Sequence, residues 1–264
     1  TYGFKEEEFI ILAARPSVGK SAFAINLALN IAKRNPKGED VSVAIFSLEM
    51  SNDQIVSRMI AKLSGINSYK LITGQLKPEE WARVNTASEA LKRMPIFFDD
   101  SAASTVQDVR AKCRKLKQEN KLDFVIIDYL QLLDSSEKSS NRQEAVSKVS
   151  RGLKLMAKEL KVPVLALSQL SRSVETKSGE EKKPMLFHLR ESGAIEQDAD
   201  IVLLMHRPDL YDKEKRETDD EENPVSRIEI NVAKNRQGLS GSDLLYRFRL
   251  STSDFNQIDK EREE

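Results

Sequence analysis

One cysteine, two histidines and one tryptophan are all that 264 residues hold of these types. Cys113 therefore has no partner for an internal disulfide, and two histidines with one cysteine cannot build the usual zinc cages. That scarcity fits a reducing cytoplasm, the expected location. Net charge is missing as well: 42 Lys and Arg balance 42 Asp and Glu, so no basic excess announces a nucleic acid partner and any such contact has to be local. Long apolar runs are absent. The longest, near residues 10–14 and 124–127, fall far short of the roughly 18 residues that cross a bilayer. The first residue is Thr1, and no charged leader with an apolar run precedes the patterned region, so a piece of a longer protein without a secretory signal is expected.

What is present is a globular composition, 39% apolar, long enough for one large α/β domain spanning 1–264. Charge gathers in PDLYDKEKRETDDEENP (208–224) and in the tail DKEREE, both readable as solvated surface. Short β-rich runs alternate with longer stretches of helical period, the pattern of a mostly parallel sheet covered by helices. The runs read as strands are 8–14, 41–48, 95–98, 123–128, 162–168, 201–206, 227–233 and 244–250. The first six are separated widely enough to be parallel. KNRQGLSGSD joins the last two as a short, turn-rich link, which predicts an antiparallel hairpin at the sheet edge. Ser51 and Gln54 have capping-box spacing, and Ala145, Val146, Val149, Leu153, Met156 and Leu160 form one apolar stripe over 142–160. The stretches 134–141 and 171–184 are rich in Ser, Lys and Glu and read as exposed loops.

The string ARPSVGKS matches G-x-x-x-x-G-K-[S/T] except that Ala14 replaces the first glycine. An apolar strand enters and an amphipathic segment, 22–33, leaves, which is the context the pattern needs. Backbone N–H groups of Ser17, Val18, Gly19 and Ala22, at the loop and helix start, would face phosphates, Lys20 would reach their outer oxygens, and Ser21 Oγ would ligate Mg²⁺. Alanine is acceptable at position 14 if the backbone there stays at negative φ.

Three further strands end in polar groups. LDFVIIDYLQLL runs into Asp128, a Walker B pattern whose carboxylate suits the Mg²⁺ shell; on its own it also reads as a turn residue or helix cap. VAIFSLEMS ends at Glu49, which would orient or deprotonate an attacking water if its strand neighbours that of Asp128, or would simply favour a helix N-terminus. VPVLALSQLSR ends at Gln169, whose neutral amide can sense a terminal phosphate without adding charge.

AARPSVGKS, FSLEMS, VIIDYLQLL, ALSQLSR, LRESGAIEQDAD and AKNRQG, in that order, resemble the RecA-type motor domain of bacterial and phage replicative DNA helicases, the DnaB family. The resemblance runs over most of the chain, and the SLEM and RESGAIEQDAD strings are its most specific parts. It implies an α/β fold of the RecA-like P-loop NTPase class, a mostly parallel central sheet flanked by helices with a C-terminal antiparallel hairpin. It implies ATP and Mg²⁺ as ligands, Lys20 and Ser21 on phosphate and metal, Glu49 as catalytic acid, Asp128 in the metal shell, Gln169 as sensor and Arg58 near the nucleotide. It further implies six-membered rings in which Lys234 and Arg236 reach a neighbour's nucleotide. The loop RESG would grip single-stranded DNA with Arg190, Glu191 and the Gly193 backbone. Primase and a helicase loader are the implied partners, and the family's N-terminal helical domain is absent from this sequence. The stretch TYGFKEEEF and the long charged connection 208–224 depart from the family pattern. With few aromatics (6%), grip through backbone phosphates with little base preference is the expectation.

Without the resemblance, Lys234 and Arg236 read as a polar hairpin turn, and Arg190 and Glu191 as a pair within an ordinary loop. Two other functions stand beside the ring translocase: a recombinase-like, DNA-dependent ATPase that forms filaments, and a nucleotide-gated assembly platform without productive turnover.

Overall fold

The computed structural model describes residues 3–33, 41–101, 105–133, 142–171, 183–210, 217–220 and 223–258. The elements run β1 (Phe9–Ala14), α1 (Lys20–Lys33), β2 (Val43–Ser47), α2 (Asn52–Ser64), α3 (Ser68–Thr73), α4 (Pro78–Lys92), β3 (Ile96–Asp99), α5 (Val106–Gln118), β4 (Phe124–Asp128), α6 (Arg142–Leu160), β5 (Val164–Gln169), α7 (Gly193–Asp198), β6 (Ile201–His206), β7 (Glu217–Asp220), β8 (Asn223–Asn235), β9 (Asp243–Arg249) and β10 (Asp254–Ile258). All the strands belong to one sheet in the order β10-β9-β8-β6-β1-β5-β4-β2-β3, with β7 paired to β8.

Strands β1 to β6 are mutually parallel, as their wide spacing predicts. Strand β1 lies midway along the nine-strand order of the sheet, between β6 and β5, and all six of its residues are buried. An apolar layer covers each face. Leu153 and Met156 of α6 with Val109 and Cys113 of α5 pack on one side; Ile25 and Leu29 of α1 with Ile55 and Met59 of α2 pack on the other. Parallel strands buried on both faces read as near-continuous apolar runs, which is why they were legible. The α6 stripe packs as its spacing predicts, with Ala145 only half-buried. Cys113 is fully buried, and burial pushes its thiol up to about 12, so it is an inert core residue.

Two strands escape the sequence reading. The acidic β7 (ETDD) has no apolar residue, and β10 (DFNQI) buries only Phe255. The predicted hairpin does form between β8 and β9, but it is not the edge of the sheet, because β10 pairs outside β9. Buried Asn26 explains that addition. Its amide donates to the Ser253 carbonyl at 2.7 Å and accepts from the Phe255 N–H at 3.1 Å, tying the turn before β10 to α1. The stretch 134–141 and residues 172–182 of the stretch 171–184, both expected as loops, lie outside the described residues, as does much of the charged 208–224 connection. Among the described residues no helix is long and apolar enough to cross a membrane.

Candidate nucleotide site

The carboxyl ends of β1, β2, β4 and β5 meet at a cleft of about 330 Å³, the position where open α/β sheets take ligands. Its lining includes Ser17, Gly19, Lys20, Ser21 and Ala22 on the loop side. Ala14 has no positive φ and ends β1 as ordinary strand, so the missing glycine costs the loop nothing. The sharp turning falls on Ser17 (φ 64°) and Gly19 (φ 107°). Val18 is buried in the apolar layer beneath, so only its backbone is available to a ligand.

Gly19 is required twice over. Its φ is one that side chains rarely adopt, and a Cβ there would sit 3.2 Å from the Phe248 ring. Phe248 stacks on Phe255, with centroids 4.2 Å apart, so the ring has little room to retreat. Gly19→Ala is therefore expected to destabilise the fold by about 1–3 kcal/mol and to weaken nucleotide binding. A thermal melt beside titration with a fluorescent ATP analogue checks both; an unchanged melt and affinity would show that the loop tolerates a side chain.

The acids come from neighbouring strands. Ser47 of β2 pairs with Asp128 of β4, and the Leu48 N–H donates to the Asp128 carbonyl at 2.8 Å. The Ser47 hydroxyl donates to the Met50 carbonyl (2.7 Å) and accepts from the Met50 N–H (3.2 Å), fixing the turn that carries exposed Glu49. The predicted capping box of Ser51 and Gln54 then starts α2. Burial pushes the Lys20 ammonium down from its usual value, and the Asp128 and Glu49 carboxylates pull it back up. Burial likewise raises Asp128, opposed by Lys20, by a hydrogen bond from Ser21 and by Arg58. Lys20 Nζ also lies 4.6 Å from the centre of the Tyr129 ring, a cation–π contact that spacing did not reveal.

Asp128 Oδ1 is buried and has no hydrogen-bond partner in the protein. Such an oxygen, next to the Ser21 hydroxyl, fits a hard cation. The described residues hold no cluster of three or more His, Cys, Asp or Glu that would bind a metal unaided, so a cation here would complete its shell with water and phosphate, as Mg²⁺ does. Gln169, aligned with Ala14 at the end of β5, and Arg58 of α2 complete the cleft.

Sequence reasoning missed three residues at this end of the sheet: Tyr129, Gln131 and Arg207. Arg207 follows β6 and is buried. Its Nε and Nη2 donate to the Asp209 carboxylate (3.0–3.2 Å), the Ser226 hydroxyl donates to the same carboxylate (2.9 Å), and Nη1 donates to the Ser17 carbonyl (3.3 Å). A buried, hydrogen-bonded ion pair thus braces the loop at its left-handed residue. The available signal was a cation directly after an apolar strand, the same signal that marks the other strand ends.

Lys234 and Arg236 do not join this cleft. Asn235 pairs with Ile201, the first residue of β6, and the Arg236 N–H donates to the Asp200 carbonyl (2.9 Å). They therefore sit at the amino end of the parallel strands, about 20 Å from the cleft at roughly 3.3 Å per residue of β1. Rather than forming a loose turn, both cations seat on the last turn of α7. Lys234 Nζ donates to the Glu196 and Ala199 carbonyls (2.5 and 2.7 Å), and Arg236 Nη2 to the Gln197 carbonyl (2.5 Å). Unsatisfied carbonyls at a helix C-terminus favour cations. Arg190 and Glu191 lie in the 3-10 turn Leu186–Ser192, with their side chains outside the described residues; Gly193 is exposed and opens α7. A Cβ on Gly193 would meet nothing within 4 Å.

This arrangement has close relatives. A DnaB-like helicase C terminal domain profile matches residues 1–257. The replicative DNA helicase DnaB of Geobacillus stearothermophilus is 50% identical over 92% of this chain and 51% of its own length, and the replicative DNA helicase DnaC of Bacillus subtilis (strain 168) is 49% identical over the same shares. The chain thus spans about half the length of these relatives. Among solved structures, one described as an ATPase domain superposes with a TM-score of 0.87 at 37% identity, covering 98% of this chain and 87% of that one. A structure described as that of a DnaB-like replicative helicase and its interactions with primase gives 0.87 and 37% over 98% of this chain and 59% of the other. With its profile, its sequence and its sheet in agreement, the chain belongs to the family of DnaB-like helicase C-terminal domains.

Proposed function

We propose that this chain is the ATP-hydrolysing motor of a replicative DNA helicase that translocates on single-stranded DNA as a hexameric ring and unwinds duplex DNA in the cytoplasm. The observation that carries the reading is the convergence of Lys20, Ser21, Glu49 and Gln169 around one cleft with Asp128 behind it.

The loop N–H groups and Lys20 hold the phosphates of ATP. Ser21 and Asp128 would hold Mg²⁺, which when bound would supply positive charge against the phosphate oxygens. Glu49 orients water and accepts its proton, Gln169 senses the terminal phosphate, and Arg58 lies beside the nucleotide, where its charge offsets that of the phosphates. Lys234 and Arg236 act on the nucleotide of an adjacent subunit, consistent with their place at the far end of their own sheet. Arg190, Glu191 and the Gly193 backbone grip DNA phosphates. Primase and a helicase loader are proposed partners; the similarity to a helicase described with its interactions with primase supports the first.

DNA-stimulated ATP hydrolysis, followed together with ring formation across protein concentration and with unwinding of a forked duplex, tests this reading. Closed rings with stimulated turnover are expected. Filaments with strand exchange would instead identify a recombinase, and nucleotide binding without turnover an assembly platform.

A further inference from the structure

The β5 strand outlasts its neighbour. The last β4–β5 pair is Ile127 with Ala166, three residues short of Gln169. In a parallel sheet, alternate residues turn their N–H and C=O to opposite neighbours. The Pro163 carbonyl accepts from Val125 of β4, whereas Val164 and Leu170 donate to Glu8 and Ala14 on the β1 side. Gln169, of the same parity as Pro163, thus turns both backbone groups toward β4 where that strand has ended. Groups left so would be without partners.

Gln131 supplies them. Its Oε1 accepts from the Gln169 N–H (3.3 Å), and its Nε2 donates to the Gln169 carbonyl (3.2 Å) and to the Ser168 hydroxyl (2.9 Å). The three contacts fix which way the amide faces, since only this orientation matches donors to acceptors. A side-chain amide thus copies a peptide group of β4 and prolongs the sheet by one residue. Its own position is secured by Leu130 and Leu133, which are both buried on either side. Gln131 also borders a second cleft, of about 470 Å³, together with Gln169, Ser171 and His188.

We propose that Gln131 is the positioning residue for Gln169: by holding the Gln169 backbone in strand geometry, it fixes where that side chain stands at the phosphate cleft. The inference rests on the sensor reading of Gln169 and names what keeps the sensor in place. Gln131 is not among the residues that line the phosphate cleft, whereas Gln169 is, so it acts there through Gln169. A residue with that role affects turnover more than substrate affinity, and its effect vanishes once the group it positions is removed.

The test is a double-mutant cycle on steady-state ATP turnover at saturating DNA, with Gln131→Leu, Gln131→Glu, Gln169→Ala and the paired variants, each also followed by a thermal melt. Gln131→Glu keeps the chain length and the acceptor but sets a carboxylate oxygen against the Gln169 carbonyl. Both Gln131 variants are expected to lower kcat by about tenfold or more with KM for ATP within about threefold, and to add less than about twofold in the Gln169→Ala background. Full turnover in both Gln131 variants, or losses that simply multiply in the paired variants, would overturn the proposal; a lowered melt with unchanged turnover would leave Gln131 a purely structural bond. If Gln169→Ala alone turns over normally, the sensor reading itself is refuted and the positioning role falls with it. That result is distinguishable from the others.

Discussion

Glu49→Gln is expected to lower ATP turnover by about 10²–10⁴, the usual worth of a positioned general base, while leaving the nucleotide bound at least as tightly as before. The amide keeps the length and shape of the side chain and can still hydrogen-bond a water, but it cannot take the proton. Little else should change. Glu49 is exposed, and its turn is held by Ser47, Met50 and the capping box of α2, none of which uses its carboxylate. Binding should be preserved because the carboxylate is one of two negative charges facing Lys20; removing it leaves Lys20 freer for phosphate and removes repulsion of the terminal phosphoryl group. Phosphate release and affinity for a fluorescent ATP analogue, measured side by side, separate the two effects. Turnover that survives the substitution would refute the role given to Glu49.

Arg236→Ala should be more damaging in a uniform assembly, lowering turnover by about 10³–10⁵, as expected for an arginine that stabilises a transferring phosphoryl group from outside. Its placement makes the prediction specific. Arg236 is held at the amino end of the strands through Asp200, opposite the cleft of its own chain. Within one chain it has no route to the phosphates. Mixing Arg236→Ala subunits with Lys20→Ala subunits should therefore restore part of the activity, since some interfaces then join an intact cleft to an intact arginine. Neither variant alone should show it. Folding is not at stake: the Arg236–Asp200 pair is half exposed on the arginine side, and Asp200 keeps the Phe9 N–H and Lys154 as partners. Mixed assemblies as inactive as their components would remove donation across the interface.

Most of the parallel sheet was legible in the chain because strands covered on both faces must be apolar throughout. The strand ends carried the site for a related reason: Asp128, Glu49 and Gln169 break long apolar runs where nothing in the core asks for a polar group. Arg207 obeys the same rule after Ile201–His206, but it directly precedes the charged 208–224 connection, which reads as solvated surface and hid it. Gln131 was beyond such reading. It sits one residue into a 3-10 turn, and its importance lies in two backbone atoms of a residue 38 positions away. The strands β7 and β10 were missed because their stability comes from pairing with a neighbour and, for β10, from Asn26, rather than from an apolar run of their own.

The phosphate loop, the apolar strands of the parallel sheet and the polar residues Glu49, Asp128 and Gln169 that follow or end them are written in the chain, since they depend on local backbone demands and on one-dimensional burial patterns. Folding in three dimensions added the rest. It placed β4 next to β2, so that Asp128 stands behind the cleft that Glu49 lines, and it set Lys234 and Arg236 at the far end of the sheet. Those outcomes follow from strand order and register, which are settled by side chains packing between elements distant in the chain and leave no mark in any single stretch of it.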